Sequence, residues 1–594
     1  MTTATRLQAL RKLMQERGYD ALVIPRADEH LGEYIPLHNE RLLWVSGFTG
    51  SAGVVVVLRD SAAIFVDGRY TVQVRQQVDA AHFSYQHLIN TPPASWLAGA
   101  LPSGARVAAD PRLHSLQWYR DAEETLQAAG VVLCADADNL VDRCWHERPA
   151  PDVRPALLLD DAFSGESSAS KRARIAASLE SQRADAALVF APDSVSWLLN
   201  VRGLDVPCLP VLQSMALIWR DASVDLIVDP RRMPPGWQAH CGADVRLHAP
   251  QEAAALLAGQ AGRRVVADPH TANAWSQRLL EEGGAILVAA PDPVLLPKAC
   301  KNAVEIDGAR KAHVRDAVAV VRFLAWLDTE LQSDQYHDEA GLADQLLAFR
   351  EEGEHFQGPS FDTISAAGGN AAMCHYNHRN AVPARLPPDS VYLVDSGGQY
   401  TDGTTDITRT VAIGTPAAGV RKLFTLVLQG HIALDQARFP RGTTGTHLDV
   451  LARQPLWREG FDYDHGTGHG VGAFLSVHEG PQRISRAWSA ATLEPGMILS
   501  NEPGYYRDGE FGIRCENLVV VQALNGELET PMYGFDVLTL VPFDRRLIDV
   551  GLLSPCEQAW IDAYHRRVED TVAPLLDEPE RQWLAQACAP LIAS

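Results

Sequence analysis

The chain has 594 residues, 46% hydrophobic and 21% charged, with a mean hydropathy of −0.11. This is an ordinary globular composition, and no apolar run approaches the roughly 18 residues of a membrane span, so a soluble protein is expected. A formal charge of −22 and a pI near 5.3 argue against nucleic acid and anionic membranes as partners, because both demand a basic patch.

Length alone leaves room for about four domains, fewer if one is large. The start of the chain reads as an amphipathic helix ending near Gly18, with Leu7, Leu10 and Leu13 at three-residue spacing. It lacks the apolar centre of a signal peptide, and Glu16 and Asp20 speak against a transit peptide. Nine scattered cysteines without a CxxC spacing point to a reducing cytosol rather than a disulfide framework.

After that helix come an apolar run at 21–24, then Trp44, Gly47 and Phe48, then a second run at 63–66 with Asp67. The order recurs as a helical pattern at 172–183, an apolar run at 187–190, Trp197, Arg202 and Gly203, and a run at 226–228 with Asp229. Both read as helix, buried strand, aromatic turn and strand, so two related α/β domains are predicted, with Trp44 and Trp197 in their cores. Polar, Pro-containing stretches at 146–154 and 291–297 separate the parts and set predicted domains at 1–152, 153–298 and 299–594.

The third part opens on a long helical pattern through Ile306, Ala309, Ala317, Val320, Val321, Leu324 and Leu327. A short strand at 391–394 then ends at Asp395, and another at 407–413 begins beside Asp406. Gly397, Gly398, Asp402 and Gly403 between them allow a hairpin that brings both carboxylates to one end. Strands at 497–502 and 513–521 repeat the device through Pro503, Gly504, Asp508, Gly509 and Gly512, turning Glu502 toward Glu516. Strand alternation puts Arg514 on the same face as Glu516, where it can orient a ligand carboxylate.

His469 lies in the run His-Gly-Thr-Gly-His-Gly-Val-Gly at 465–472, where glycines permit close backbone approach and a short strand or loop is expected. The run lacks the Lys-Ser/Thr ending of a phosphate-binding loop, so nucleotide binding is not expected. Taken singly, each acid reads as a turn residue or a strand-edge ion-pair partner. Together, Asp395, Asp406, His469, Glu502 and Glu516 form a hard donor set suited to Mn²⁺, Co²⁺ or Zn²⁺. Five ligands holding two ions require at least two bridging carboxylates, and a pair of such ions points to hydrolysis. His375, His465 and His478 are further candidates to converge on the site.

The segments YLVDSGGQYTDGTTDITRT, DHGTGHGVG, VHEGP, NEPGYY and FGIRCEN resemble the pita-bread metallopeptidases, specifically the three-domain aminopeptidase P (Xaa-Pro aminopeptidase) group. SGFTGSAG at 46–53, DGRY at 67–70 and LLNVRGLDV at 198–206 extend the resemblance over nearly the whole chain. It implies an α/β (α+β) architecture of two creatinase-like N-terminal domains and a pita-bread catalytic domain. It implies that Asp395, Asp406 and Glu516 hold one metal and Asp406, His469, Glu502 and Glu516 the other, usually manganese, with Asp406 and Glu516 as bridges. A bridging water or hydroxide would attack the scissile carbonyl, with Glu502 shuttling a proton.

By the same resemblance, His375, His465 and His478 bind substrate around the proline, with His478 at the oxyanion. Arg514 is counted with them as a substrate-side residue. Glu33 and Arg69 would reach substrate from the first domain, because a partner subunit's N-terminal domain can border the site in this family. Peptides with N-terminal Xaa-Pro as substrates, a cytoplasmic location and a homodimer are the remaining expectations. An Xaa-Pro bond is a tertiary amide without an N–H, and its ring crowds ordinary protease clefts. Imidazole faces and Tyr376 are expected to pack against that ring. Prolidase shares the ligands but acts on dipeptides, and methionine aminopeptidase lacks the two N-terminal domains. A metal-free binding module would have lost ligands, and none of the five is lost.

Overall fold

The computed structural model describes residues 1–333, 335–526 and 529–591. It divides into two compact units, Met1–Asp160 with Glu166–Leu295, and Asp161–Gly165 with Leu296–Ser594. The two predicted N-terminal domains therefore fall within one unit. No helix among the described residues is long and apolar enough to cross a membrane. All nine cysteines are free thiols.

The first unit carries the sequence repeat as a repeat of topology. One six-stranded sheet runs Ser84–His87, Ala62–Val66, Val54–Leu58, Ala21–Pro25, Arg106–Ala109, Val132–Ala135. The other runs Val245–His248, Val224–Ile227, Met215–Trp219, Ala186–Val189, Arg264–Ala267, Ile286–Ala289. In both, the central strand pairs antiparallel with the next strand on one side and parallel with its neighbour on the other, so the pairing pattern is the same throughout. Trp197 is fully buried and Trp44 nearly so, in agreement with the core positions expected of them.

The first helix, Thr3–Arg17, ends at Gly18 as expected, but buries Leu7, Leu10 and Met14 while Leu13 is only half-buried. A 3.6-residue turn carries a strict three-residue spacing off the apolar face, and Met14 takes the place at i+4.

In the second unit the predicted long helix is Ala303–Gln332, started by an Asn302 and Glu305 capping box and burying Ala309, Ala317, Val320, Val321, Leu324 and Leu327. Helices Glu339–Glu351, Ala418–Asp435, Gly445–Arg458 and Pro555–Val572 surround short sheets. A three-stranded sheet orders Ile364–Ala367, Ser390–Ser396 and Ile407–Ile413, and a six-stranded one includes Glu479–Ile484, Gly468–Gly470, Ile498–Asn501 and Asn517–Ala523 in that order. A continuous apolar core, including Val321, Leu393-adjacent Val394, Val427, Leu499 and Val519, packs these sheets against the helices.

Buried His114 in the first unit stacks on Trp118 with ring centroids 3.6 Å apart, its Nε2 has no protein partner, and burial pushes its pKa down to about 3. The unfolded imidazole, near the usual value of about 6.5, takes up its proton first as pH falls. Its contribution is therefore intact above about pH 6.5 and is lost toward pH 3, at up to about 1.4 kcal/mol per pH unit. His114→Phe is expected to flatten the fall in stability between pH 7 and pH 5, measured by denaturant unfolding at each pH. An unchanged slope would refute the buried neutral imidazole as its source.

Candidate active site

The four predicted acid ligands sit at or just beyond strand ends. The strands Ser390–Ser396 and Ile407–Ile413 pair antiparallel with Asp395 opposite Thr408, so Asp395 and Asp406 share one end as the turn signals indicated. The intervening residues do not form a simple turn but two short strands, Gly398–Tyr400 and Gly403–Thr404, which join a separate small sheet. Likewise Asn501 opposes Asn517, which leaves Glu502 and Glu516 just beyond the paired ends of Ile498–Asn501 and Asn517–Ala523. An inner hairpin, Gly504–Arg507 with Phe511–Arg514, interrupts the single strand expected over 513–521. The break at Cys515 and Glu516 turns the glutamate into the site.

His469 lies on the three-residue strand Gly468–Gly470. A Cβ on Gly468 would stand 2.0 Å from the Ser500 carbonyl oxygen, so only glycine lets this strand lie close to the strand ending at Asn501. His469 Nδ1–H donates to the Gly470 carbonyl at 3.0 Å, which leaves Nε2 facing Asp406 Oδ2 at 3.4 Å and Glu502 Oε1 at 3.6 Å. Ligand atoms of Asp406, His469 and Glu516 lie within 4.8 Å of one another. Asp395 completes the acidic set, and its Oδ1 is buried with no hydrogen-bond partner.

The electrostatics are those of a site short of positive charge. Burial, followed by Asp395 and Glu502, raises Asp406 to about 6 against the pull of His469. Glu516 is raised well above its usual value by burial and then by Asp406, Asp395 and Glu502. Burial disfavours the charged form of His469, but Asp406 and Glu502 outweigh it and raise the imidazole to about 9. Hard oxygen donors crowded together, with a desolvated unpartnered carboxylate oxygen and one imidazole nitrogen aimed among them, fit divalent cations.

Arg514, named from sequence, is buried and donates to Asp395 Oδ2, to Thr408 Oγ1 at 3.0 Å and to the Tyr506 hydroxyl at 2.8 Å. Other side chains that orient this set were not singled out by sequence. Thr408 Oγ1–H donates to Glu516 Oε2 at 2.6 Å. Ser500 Oγ–H donates to Glu502 Oε1 at 3.2 Å and accepts from the His469 amide. Thr408 was legible in principle: strand alternation sends it to the face opposite Arg409.

The extra histidines are placed unevenly by their contacts. The His478 ring stands edge-on to His469, centroids 4.2 Å apart. His465 Nδ1–H donates to the Gly466 carbonyl, so Nε2 accepts from the Tyr506 hydroxyl at 2.8 Å and joins the Arg514 and Asp395 chain. His375 is half-buried on the loop that follows Ile364–Ala367. Tyr376, expected to pack against a substrate ring, is instead turned into the core with 5% exposure, its hydroxyl on Glu339. Glu33 and Arg69 lie in the other compact unit, 4.0 Å apart, where Arg69 makes a bidentate pair with Asp67 and Ser51 donates to Glu33.

The description Metallopeptidase family M24 matches residues 307–523, and the C-terminal region of peptidase M24 matches 531–591. Creatinase/Prolidase N-terminal domain models match 6–144 and 147–305. A probable Xaa-Pro aminopeptidase P of Tuber melanosporum is 38% identical over 99% of each chain. The chain belongs to the M24 metallopeptidase family. Within that family, a probable Xaa-Pro aminopeptidase P of Aspergillus fumigatus is also 38% identical, over 100% of this chain and 93% of its own. The X-prolyl aminopeptidase of Caenorhabditis elegans, described as a cytosolic enzyme with a di-nuclear active site, superposes with a TM-score of 0.95 at 33% identity, over 99% of this chain and all of its own. The dipeptidase PepE of Mycobacterium ulcerans, at 23% identity and a TM-score of 0.52, shares the fold over 65% of this M24 chain.

If Asp406 and Glu516 bridge two cations, Asp406→Ala and Glu516→Ala each lose both metals and nearly all turnover. Bound metal is counted after gel filtration, and Mn²⁺ is expected to raise the thermal midpoint of chelated wild type but of neither variant. Full metal content in either variant would refute the bridging assignment.

Proposed function

We propose that this M24 metallopeptidase is an Xaa-Pro aminopeptidase, releasing the N-terminal residue of peptides with proline second. The observation that carries the reading is the convergence of Asp395, Asp406, His469, Glu502 and Glu516 in a chain matched over its whole length, both N-terminal domains included, by an X-prolyl aminopeptidase. The domains are drawn at 1–152, 153–298 and 299–594.

Asp395, Asp406 and Glu516 would hold one divalent cation and Asp406, His469, Glu502 and Glu516 the other, with Mn²⁺ preferred and Co²⁺ or Zn²⁺ compatible with the same donors. The chemistry such cations would supply is a water of lowered pKa near neutral pH and polarisation of the scissile carbonyl. Glu502, held by Ser500, takes the proton of the attacking water and returns it to the prolyl nitrogen, which has no N–H and leaves as a secondary amine. His478, beside His469, stabilises the oxyanion. His375 and His465 flank the proline ring. Arg514 has its donors committed to Asp395, Thr408 and Tyr506, so we assign it to orienting Asp395 rather than to touching substrate. Glu33 and Arg69 are retained as substrate contacts supplied by the first domain of a partner copy.

A cytoplasmic homodimer accompanies this reading. Trp488 is 75% exposed and Trp457 42% exposed. Large exposed aromatic residues are characteristic of association surfaces. Trp457→Glu is expected to shift the sedimenting species from dimer to monomer; an unchanged sedimentation coefficient would place the interface elsewhere.

The test of the activity is hydrolysis of Arg-Pro-Pro beside the dipeptide Ala-Pro by chelated protein, with and without Mn²⁺. Manganese-dependent release of arginine is expected. Cleavage of the dipeptide alone would replace the reading with a prolidase, and no cleavage with any divalent metal would overturn the enzyme. His478→Ala is expected to lower kcat by about 10²-fold or more at unchanged metal content, in line with loss of an oxyanion donor.

A further inference from the structure

Glu339 is a fully buried carboxylate with no cation within ion-pair distance among the described residues. It is the first residue of the helix Glu339–Glu351, whose N-cap is Asp338. Every hydrogen bond it accepts comes from one stretch of chain. Oε1 accepts from the Ala367 amide at 2.8 Å and Asn370 Nδ2 at 2.9 Å; Oε2 accepts from the Tyr376 hydroxyl at 2.8 Å and the Ala384 amide at 2.8 Å. A carboxylate offers about four acceptor positions, and here all are taken. The helix N-terminus and four donors stand in for the missing cation.

The stretch so held, residues 367–384, carries His375. Its other side is pinned by the hairpin that bears Arg514 and Tyr506. A Cβ on Gly512 would lie 1.8 Å from the Ala371 carbonyl oxygen, so the two backbones touch and the loop cannot move toward the hairpin. Tyr376 itself packs with Ile364, Ala366 and Leu393 beneath the loop. The side chain next to the imidazole is therefore an anchor, and among the described residues its hydroxyl bonds Glu339 and Asn370 alone.

We propose that Glu339 is a positioning residue for recognition of the penultimate proline, setting the height and direction of His375 through Tyr376 and the two loop ends. The inference rests on the reading of His375 as a substrate group. Loss of this anchor leaves the metal ligands on their own strands and loosens the proline side of the pocket alone. Glutamine cannot replace it: its NH₂ group would face the Ala384 amide or the Ala367 amide, neither of which can turn to accept, although the Tyr376 hydroxyl could.

The experiment compares wild type, Glu339→Gln and Tyr376→Phe on Arg-Pro-Pro, with manganese content, thermal midpoint, and amide hydrogen exchange of the metal-free proteins. Glu339→Gln is expected to raise KM about tenfold or more with a much smaller change in kcat, as for one or two buried hydrogen bonds lost. Tyr376→Phe, which removes one donor and disturbs folding least, should raise KM by less. Metal content should stay at the wild-type value, and exchange should quicken at Ala367 and Ala384 but not in the strands bearing the ligands.

Unchanged exchange at Ala367 and Ala384 in both variants would overturn the proposal. So would loss of metal together with equal falls across the kinetic constants, which would mark Glu339 as a general support of the fold. The exchange result does not depend on activity, so inactivity of the wild type on Arg-Pro-Pro would overturn the aminopeptidase reading by itself. If Glu339→Gln does not fold, Tyr376→Phe alone decides.

Discussion

Four carboxylates forced into one desolvated site are the constraint on which the catalytic unit depends. Two unit charges about 4 Å apart repel by about 4 kcal/mol at an effective dielectric near 20, and Asp406 is acted on by Asp395 and Glu502, and Glu516 by all three other acids. Burial and this repulsion push Asp406 and Glu516 upward, and the acids around His469 push its imidazole upward as well. Arg514 and Thr408 relieve part of this with hydrogen bonds to Asp395 and Glu516. Cations complete the balance, and the same demand that makes the site bind them makes it costly to assemble without them.

Such a site holds its shape only if the backbone beneath it cannot yield. His431, on the helix Ala418–Asp435, donates from Nδ1 to the Asn501 carbonyl and accepts at Nε2 from Asn517, so one ring ties the residue before Glu502 to the residue after Glu516. Burial, then Arg409, pushes its pKa down to about 3, which keeps this tautomer neutral at working pH. Arg409 adds bonds to the Glu516 carbonyl and the Asn517 side chain. On the other flank Lys298 and Lys301 both pair with buried Glu479, next to His478. Buried charge of this kind is tolerated because each group is paired in place, and the result is a rigid seat for ligands drawn from distant strands.

The two N-terminal sheets repeat one pairing pattern. Their repeat was readable from sequence because it is written in local apolar periodicity: a helix, a strand, an aromatic turn. The Pro-punctuated stretch at 291–297 set a predicted boundary after residue 298, and the compact units divide between Leu295 and Leu296. The grouping of both sheets into one compact unit was not visible, since it follows from long-range packing such as the Asn273 side chain on the carbonyl of Glu29.

Sequence by itself determined the donor chemistry. Acids at strand ends, turn residues between them and a histidine among glycines are local features, and they named Asp395, Asp406, His469, Glu502 and Glu516 before any fold was known. Alternation along one strand put Arg514 on the face of Glu516, but the strand breaks between them and Arg514 bonds Asp395 instead. Tertiary structure alone decided what surrounds them: that the strand over 513–521 breaks at Glu516, that Tyr376 points into the core, that Glu339 bonds the loop at 367–384, and that Thr408 and His431 bond Glu516 and the residues beside the two glutamates. Their hydrogen bonds join residues separated in sequence by tens of positions or more, and pairings of that range are set by how the sheets and helices close around one core, which no local pattern records.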